Sequence, residues 1–276
     1  MVGRHPGDLV SRDLDVPLTG CSHVDPIDPV VGRAAREWAD LVASLPTVPE
    51  PWPPTGPIVV VAPHPDDELL AVGATLAGAS DAGAEVRVVA VTDGEMSHPH
   101  LTVDRRNQLT DRRLDETVQA YELAGIRAER IRLSLPDGGA SGLGAKSWEN
   151  GLTVGLAPIL DGATTCLAPW VDDGHPDHDA CGRVARSLCT ETGVALVEFL
   201  VWSWNWDNPA APSIPFNRSV RFDFDKDLFE RKQAGISAYS SQIRPEDGNR
   251  AVLPSRFLAH FARPAEVFLL SGGPLS

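Results

Sequence analysis

The run Ile58-Val59-Val60-Val61-Ala62 passes without a break into Pro63-His64-Pro65-Asp66-Asp67-Glu68, and this junction limits what the chain can become. A short, continuous, mostly β-branched apolar run reads as a fully buried strand. Prolines on either side of His64 fix the backbone where the strand ends. Leu69 to Ala79 follows with a helical pattern, which puts Asp66, Asp67 and Glu68 at the helix start. Free N–H groups and the helix dipole favour negative charge there. In an α/β sheet, the carboxyl end of a strand is where ligands bind.

The rest of the chain repeats the alternation. Glu85–Thr92, Arg130–Leu135, Thr164–Ala168 and Ala195–Trp202 read as strands; Asp104–Ala124, Leu152–Leu160 and Asp179–Thr192 read as helices. The pattern predicts a doubly wound, mostly parallel α/β sheet with helices on both faces. Right-handed crossovers then bring the carboxyl ends of the strands to one edge, where distant segments meet. Ser219–Phe224 and Glu266–Leu270 add two strands and Asp227–Tyr239 a helix. Gly138 to Ser147 is glycine-rich and reads as a rim loop. Residues 1–55 read as an extension, with a helix over Val30–Leu45 that puts Ala34, Trp38, Leu41 and Val42 on one face. Six prolines between Pro46 and Pro57 make the following stretch a stiff strap, a packing arm without chemistry. Residues 56–276 are expected to form a single α/β domain.

Composition excludes several classes of function. With 38 acidic residues against 24 basic ones the formal net charge is −14, and no Lys/Arg cluster offers a nucleic acid a binding surface. No apolar run is long enough to span a bilayer, and the first residues lack a signal-peptide core, so a cytoplasmic location is the expectation. Cys21, Cys166, Cys181 and Cys189 show no paired spacing and read as reduced thiols. Nothing in the sequence sets the oligomeric state.

The chemistry is carried by two clusters, each between a strand and a helix. His64 and Asp67 stand three apart, and Pro169 to His178 supplies a second set ending in His175-Pro176-Asp177-His178. Two neutral imidazoles and one carboxylate are a usual three-donor set for a catalytic zinc, so His64, Asp67 and His178 are the candidate ligands. Iron(II) fits the same donors. Such a metal lowers the pKa of its water to about 7. Asp66, pointing elsewhere than its neighbour Asp67, is the candidate general base. His175 is the candidate for holding an oxyanion or protonating a leaving group, with Asp177 placed to orient it and raise its pKa. Glu68 reads as a helix N-terminal carboxylate and not as a fourth ligand. Asp93, Glu95, His98 and His100 read as a solvated loop, with Asp93 close enough to support the site. For Trp202, Trp204 and Trp206, core and pocket-wall roles weigh equally.

These residues resemble a known family. Ala62-Pro63-His64-Pro65-Asp66-Asp67-Glu68 is similar to the A-H-P-D-D-E signature of the PIG-L/LmbE-like N-deacetylases, and His175-Pro176-Asp177-His178 to their second motif. Thr92-Asp93-Gly94-Glu95 looks like the family's T-x-G-E turn. Arg113-x-x-Glu116 with Ala120 and Leu123-Ala124-Gly125 looks like its R-x-x-E…A…LG helix, and Leu135-Pro136-Asp137-Gly138 like its third loop. The resemblance covers roughly residues 56–205. It implies a Rossmann-like fold and a zinc-dependent hydrolase that removes an acyl group, commonly acetyl, from the nitrogen of an amino sugar or small glycoconjugate. Carried over, His64, Asp67 and His178 would be ligands, Asp66 the base and His175 the oxyanion or proton-donor residue. Arg113 would shape the substrate side of the pocket, with Asp93 beside it. The tyrosine that some relatives place near the oxyanion has no match, since Tyr121 and Tyr239 are the only two tyrosines.

Two other readings use the same residues. Non-haem iron(II) oxygenases also use two His and one carboxylate, but the spare carboxylate of Asp66 serves no purpose there. A non-catalytic sugar-binding homologue would have lost a ligand or the base, and all are present.

Overall fold

The computed structural model describes residues 29–246 and 248–271. Cys21, His5, His23 and the first half of the expected extension lie outside the described residues. Seven strands form one sheet: β1 (Ile58–Ala62), β2 (Val86–Thr92), β3 (Glu129–Leu135), β4 (Thr165–Pro169), β5 (Ala195–Phe199), β6 (Ser219–Asp223) and β7 (Ala265–Leu270). Their order is β3-β2-β1-β4-β5-β7-β6. Strands β1 to β5 are parallel, and β7 runs antiparallel between β5 and β6. The helices are α1 (Ala39–Ser44), α2 (Asp67–Asp81), α3 (Val103–Ala124), α4 (Ala145–Leu156), α5 (Pro176–Thr192), α6 (Ser203–Trp206), α7 (Lys226–Ile236), α8 (Ser240–Ile243) and α9 (Ser255–Leu258). The α/β fold expected from the alternation is the fold observed.

The β-branched run is explained by burial on both faces. Ile58, Val60 and Ala62 pack into one core with Leu69 and Leu76 of α2 and Ala120 of α3. Val59 and Val61 pack into the other with Leu152 of α4 and Cys181 and Ala185 of α5. After β1 the chain moves to β2 and β3 on one side, and later to β4 and β5 on the other. The crevice between the carboxyl ends of β1 and β4 is therefore the topological switch point, where such sheets bind ligands.

Residues 29–57 pack on this domain. The Trp38 indole is fully buried and donates to the Trp204 carbonyl at 2.9 Å. Pro46 and Val48 exchange backbone hydrogen bonds with Arg221 of β6 at 2.9 and 2.8 Å, covering an edge that would otherwise be open. Trp52 follows with its ring 4.8 Å from Phe268.

The helix expected over Val30–Leu45 spans only Ala35–Ser44 and that over Asp227–Tyr239 ends at Ile236; three further departures have a tertiary reason. Helix α4 begins at Ala145, inside the stretch read as a loop, because the Trp148 indole is buried and donates to the Pro136 carbonyl at 2.8 Å. Strand β5 stops at Phe199, short of Trp202, because the Asp173 carboxylate takes the N–H groups of Val201, Trp202 and Ser203 and turns the chain away. Helix α2 is broken at Val72 (φ −131°). The freed N–H groups of Ala74 and Thr75 donate to the buried Glu266 carboxylate at 2.8 and 3.0 Å, and Lys232 closes an ion pair with it at 2.8 Å.

Candidate active site

His64 leaves the end of β1 in the proline-bracketed turn, and Asp67 opens α2. The Asp67 carboxylate accepts the His64 backbone N–H at 2.9 Å and lies 3.1 Å from His64 Nδ1. From the end of β4, Gly174 turns the chain at φ 96° into α5, whose first turn carries His178. His178 Nε2 reaches Asp67 Oδ2 at 3.1 Å and His64 Nδ1 at 3.2 Å. Three donor atoms, 114 residues apart in the case of the two imidazoles, thus stand at the corners of a near-equilateral triangle. Tetrahedral zinc with ligands at about 2.0–2.1 Å has ligand–ligand edges of roughly 3.3 Å.

The far nitrogens of both rings fix which lone pairs face that triangle. His178 Nδ1 lies 2.9 Å from the fully buried Asp173 carboxylate, so Nδ1 carries the proton and Nε2 presents its lone pair. His64 Nε2 faces Asp137 at 3.3 Å and Asp177 at 3.4 Å, which leaves its Nδ1 lone pair directed at Asp67. Two imidazole lone pairs and a carboxylate converging this closely repel one another unless a cation lies among them. The donor set therefore fits a divalent metal ion. His64 also shares a possible donor group with His175 and His178, and another with Asp137 and Asp177, each with donor atoms within 4.8 Å. The carboxylates of the last group are already engaged: Asp137 accepts the Met96 N–H at 2.8 Å, and Asp177 those of Gly138 and Ala140 at 2.8 and 3.0 Å.

The electrostatics point the same way. Burial lowers the His178 pKa, yet Asp67 and Asp173 outweigh it and raise the ring to about 9. Burial likewise disfavours a charged His64, but Asp137, Asp177 and Asp67 hold it well above the usual value. Asp67 is pushed up by burial and pulled far down by the His178 charge and the hydrogen bonds of both rings. The crevice is built to hold positive charge, and metal binding there would displace protons.

Asp66 stands beside this set and turns away from it, at φ 149°. Its carboxylate is 5% exposed and is held by Arg113 Nη2 at 3.0 Å. Burial raises its pKa to about 7, the Arg113 charge opposing, which is the range a general base needs. Arg113 itself is buried and spends its guanidinium on the carbonyls of Gly94 and Pro65, at 2.9 and 2.8 Å, as well as on Asp66. It lines the cavity, with Nη2 holding Asp66 and Nη1 tied to the Gly94 carbonyl. A side chain at Gly94 (φ 69°) would run into that guanidinium, which explains the glycine.

His175 is placed differently from the sequence expectation. Its Nδ1 accepts the Asp177 backbone N–H at 3.2 Å, so the neutral ring carries its proton on Nε2. Burial and the charges of His64 and His178 lower its pKa to about 3. The Asp177 charge does raise the His175 pKa, but by less than burial and the two rings lower it, and the carboxylate itself contacts His64 Nε2 and the amides of Gly138 and Ala140. Asp177 therefore positions a ligand-type histidine, while His175 presents a neutral N–H.

Asp93 is paired with Arg132 at 2.9 Å and does not line the cavity. Glu68 is fully buried and accepts the Tyr121 hydroxyl at 2.8 Å, away from the triangle. Neither Tyr121 nor Tyr239 lines the cavity. The three tryptophans divide: Trp202 walls the cavity, Trp204 packs in the core against Trp38, and Trp206 donates to the Asp173 carbonyl at 2.7 Å. Sequence reasoning missed Asp173 and Asp137 as partners of the two histidines. An acidic residue five before His178 was the one signal for Asp173. Gln242, Val252, Leu253 and Phe257 also line the cavity, from a C-terminal region whose sequence carries no motif.

Comparisons with known proteins point to a family. Residues 59–189 match the family model described as PIG-L, GlcNAc-PI de-N-acetylase. The match takes in just under half of the chain. The matched PIG-L segment contains both histidine clusters. Among relatives, the 1D-myo-inositol 2-acetamido-2-deoxy-alpha-D-glucopyranoside deacetylase of Nocardiopsis dassonvillei is 31% identical over 169 residues, covering 52% of this chain and 58% of its own. The protein of the same name from Thermomonospora curvata is 29% identical over 248 residues, covering 79% and 82%. The chain thus spans little more than half the length of the first of these relatives. A conserved protein of Thermus thermophilus shares the fold at a TM-score of 0.56 and 24% identity, over 79% of this chain and 96% of that one. Among the described residues no helix is long and apolar enough to cross a membrane.

Proposed function

We propose that this protein is a metal-dependent hydrolase that removes an N-acyl group, acetyl in the simplest case, from an amino sugar or small glycoconjugate. The observation that carries the proposal is the triangle of His64 Nδ1, Asp67 Oδ2 and His178 Nε2, at 3.1–3.2 Å spacings, with Asp66 beside it. The substrate class is supported by relatives named for deacetylating an acetamido-glucopyranoside of inositol and for deacetylating diacetylchitobiose.

His64, Asp67 and His178 would hold the ion, and zinc is the assignment that two imidazoles and one carboxylate favour. Bound there, it would polarise the amide carbonyl and acidify a water molecule. Asp66, aimed by Arg113, takes a proton from the attacking water. His175 Nε2–H donates to the carbonyl oxygen as negative charge develops on it. Protonated Asp66 then returns its proton to the departing nitrogen, and amine and carboxylate leave. Iron(II) binds similar donors in oxygenases. Oxygenation has no use for a carboxylate held near neutrality beside the donor set, whereas hydrolysis needs one.

The test is amine release from a panel of N-acetylglucosaminides by purified protein, before and after chelation and on re-addition of zinc. Turnover lost on chelation and restored by zinc is the expected result. Turnover that persists after elemental analysis shows the metal gone refutes the metal assignment, and silence across a panel that also varies the N-acyl chain refutes the substrate class.

A further inference from the structure

The cavity over the donor triangle, about 220 Å³, has two unlike halves. One half is the reacting constellation. The other is a wall of Leu70, Val201, Trp202, Val252, Leu253 and Phe257, with Met96, Ser97 and Gln242 completing the lining. This wall reaches right up to the chemistry: the Trp202 ring lies 6.0 Å from the His175 ring and 4.6 Å from that of Phe257. Its only side-chain hydrogen-bonding group is the Trp202 indole N–H. Three of its backbone N–H groups are taken as well: those of Val201 and Trp202 donate to Asp173 and that of Leu253 to the Gln242 carbonyl.

A sugar ring alone does not suit this wall. One aromatic face can stack on the apolar side of a pyranose, but four aliphatic side chains beside it would face hydroxyls with no partner, at the cost of burying them unpaired. Arg113 has both Nη atoms engaged by Gly94, Pro65 and Asp66, and Gln242 Nε2 and the Ser97 hydroxyl already meet Ser241 and His98. An acetyl group carries a single methyl, too little to cover six side chains.

We infer that the substrate of this site carries an alkyl or aryl group that packs on the Leu70–Val201–Trp202–Val252–Leu253–Phe257 wall next to the scissile amide, an inference that rests on the N-acyl hydrolase reading above. That group arrives either as an N-acyl chain longer than acetyl or as an apolar O-substituent of the sugar. The walled cavity is continuous with the reacting groups, so what covers it is part of the molecule being cleaved.

Two substrate series separate the sources. One lengthens the acyl chain of glucosamine from acetyl to butanoyl to hexanoyl; the other lengthens the O-alkyl group of N-acetylglucosamine from methyl to butyl to hexyl. Amine release gives kcat/KM, and calorimetry on Asp66→Asn gives affinity without turnover. In one series each buried methylene should gain about fourfold, and the series that rises names the source. Leu253→Asn should flatten that rise; should it fail to fold, the half-buried Val252→Ser serves the same purpose. Hydrolysis of the acetyl and methyl compounds with no rise in either series overturns the inference and leaves the hydrolase reading standing. A rise in affinity without turnover of any compound keeps the apolar subsite and overturns the hydrolase reading. Neither turnover nor a rise in affinity overturns both.

Discussion

Replacing Asp173 by Asn tests whether the donor triangle is held from behind. The Asp173 carboxylate accepts from His178 Nδ1 at 2.9 Å and is fully buried, so the bond is charge-assisted and unscreened. Hydrogen bonds to charged groups contribute about 1.5–3 kcal/mol. Loss of a carboxylate behind a ligating histidine typically costs 10–100-fold in metal affinity, which is about 1.4–2.7 kcal/mol and agrees with that range. Asn cannot reproduce the site, because both oxygens of Asp173 accept: Oδ2 takes His178 and the Trp202 N–H, and Oδ1 takes Val201, Ser203 N–H and the Ser203 hydroxyl. An amide NH2 in either place meets a donor. The assay is zinc affinity in chelator-buffered titrations, with circular dichroism to establish folding. Asp173→Asn should lose 10–100-fold in affinity. Ser203→Ala, which removes one Asp173 contact without touching His178, should keep the affinity of the parent. Folded Asp173→Asn binding zinc within twofold of the parent, or Ser203→Ala losing as much as Asp173→Asn, would refute the reasoning.

Asp66→Asn should retain the metal by elemental analysis yet lose about 10²–10⁴-fold in kcat, the usual contribution of a positioned base; parental turnover would remove Asp66 from that role. Glu266→Ala should cost about 3–5 kcal/mol by leaving Lys232 buried and unpaired, read by chemical denaturation. The combined Lys232→Met, Glu266→Gln variant should recover much of it, and additive losses would show the ion pair to be irrelevant. His260 is 1% exposed, and burial with the charges of Arg263 and Arg256 lowers its pKa from 6.5 to about 4. The folded protein keeps this ring neutral down to about pH 4, while the unfolded chain protonates it below about 6.5. Its contribution is fully present above about pH 6.5 and is lost toward pH 4, amounting to about 3 kcal/mol. His260→Gln should flatten that part of the stability–pH curve; an unchanged slope would count against burial as its cause.

Much of the fold could be read locally. Ile58–Ala62 is apolar on both faces because it is covered on both, and the helices around it carry their own end signals, such as Gly125 (φ 69°) closing α3 and Gly193 (φ 77°) closing α5. Where a boundary was misplaced, a distant group had taken over the backbone hydrogen bonds: Asp173 at the end of β5 and Glu266 at the break in α2. Local pattern cannot register a partner 191 residues away, as Glu266 is from Thr75.

The same division runs through the site. The sequence alone determined which residue types end β1 and β4, and parallel topology required those ends to share an edge. Thus His64, Asp66, Asp67, His175 and His178 were recognisable from composition and spacing. Only the folded chain decided what each side chain does. It turned the Asp177 carboxylate to His64 instead of the His175 ring, spent Arg113 on Asp66, recruited Asp173 and Asp137 behind the imidazoles, and brought Leu253 and Phe257 in from the far end as a wall. The reason is physical: a residue's chemistry is covalent and local, whereas its pKa, tautomer and aim are set by whatever the rest of the chain packs against it.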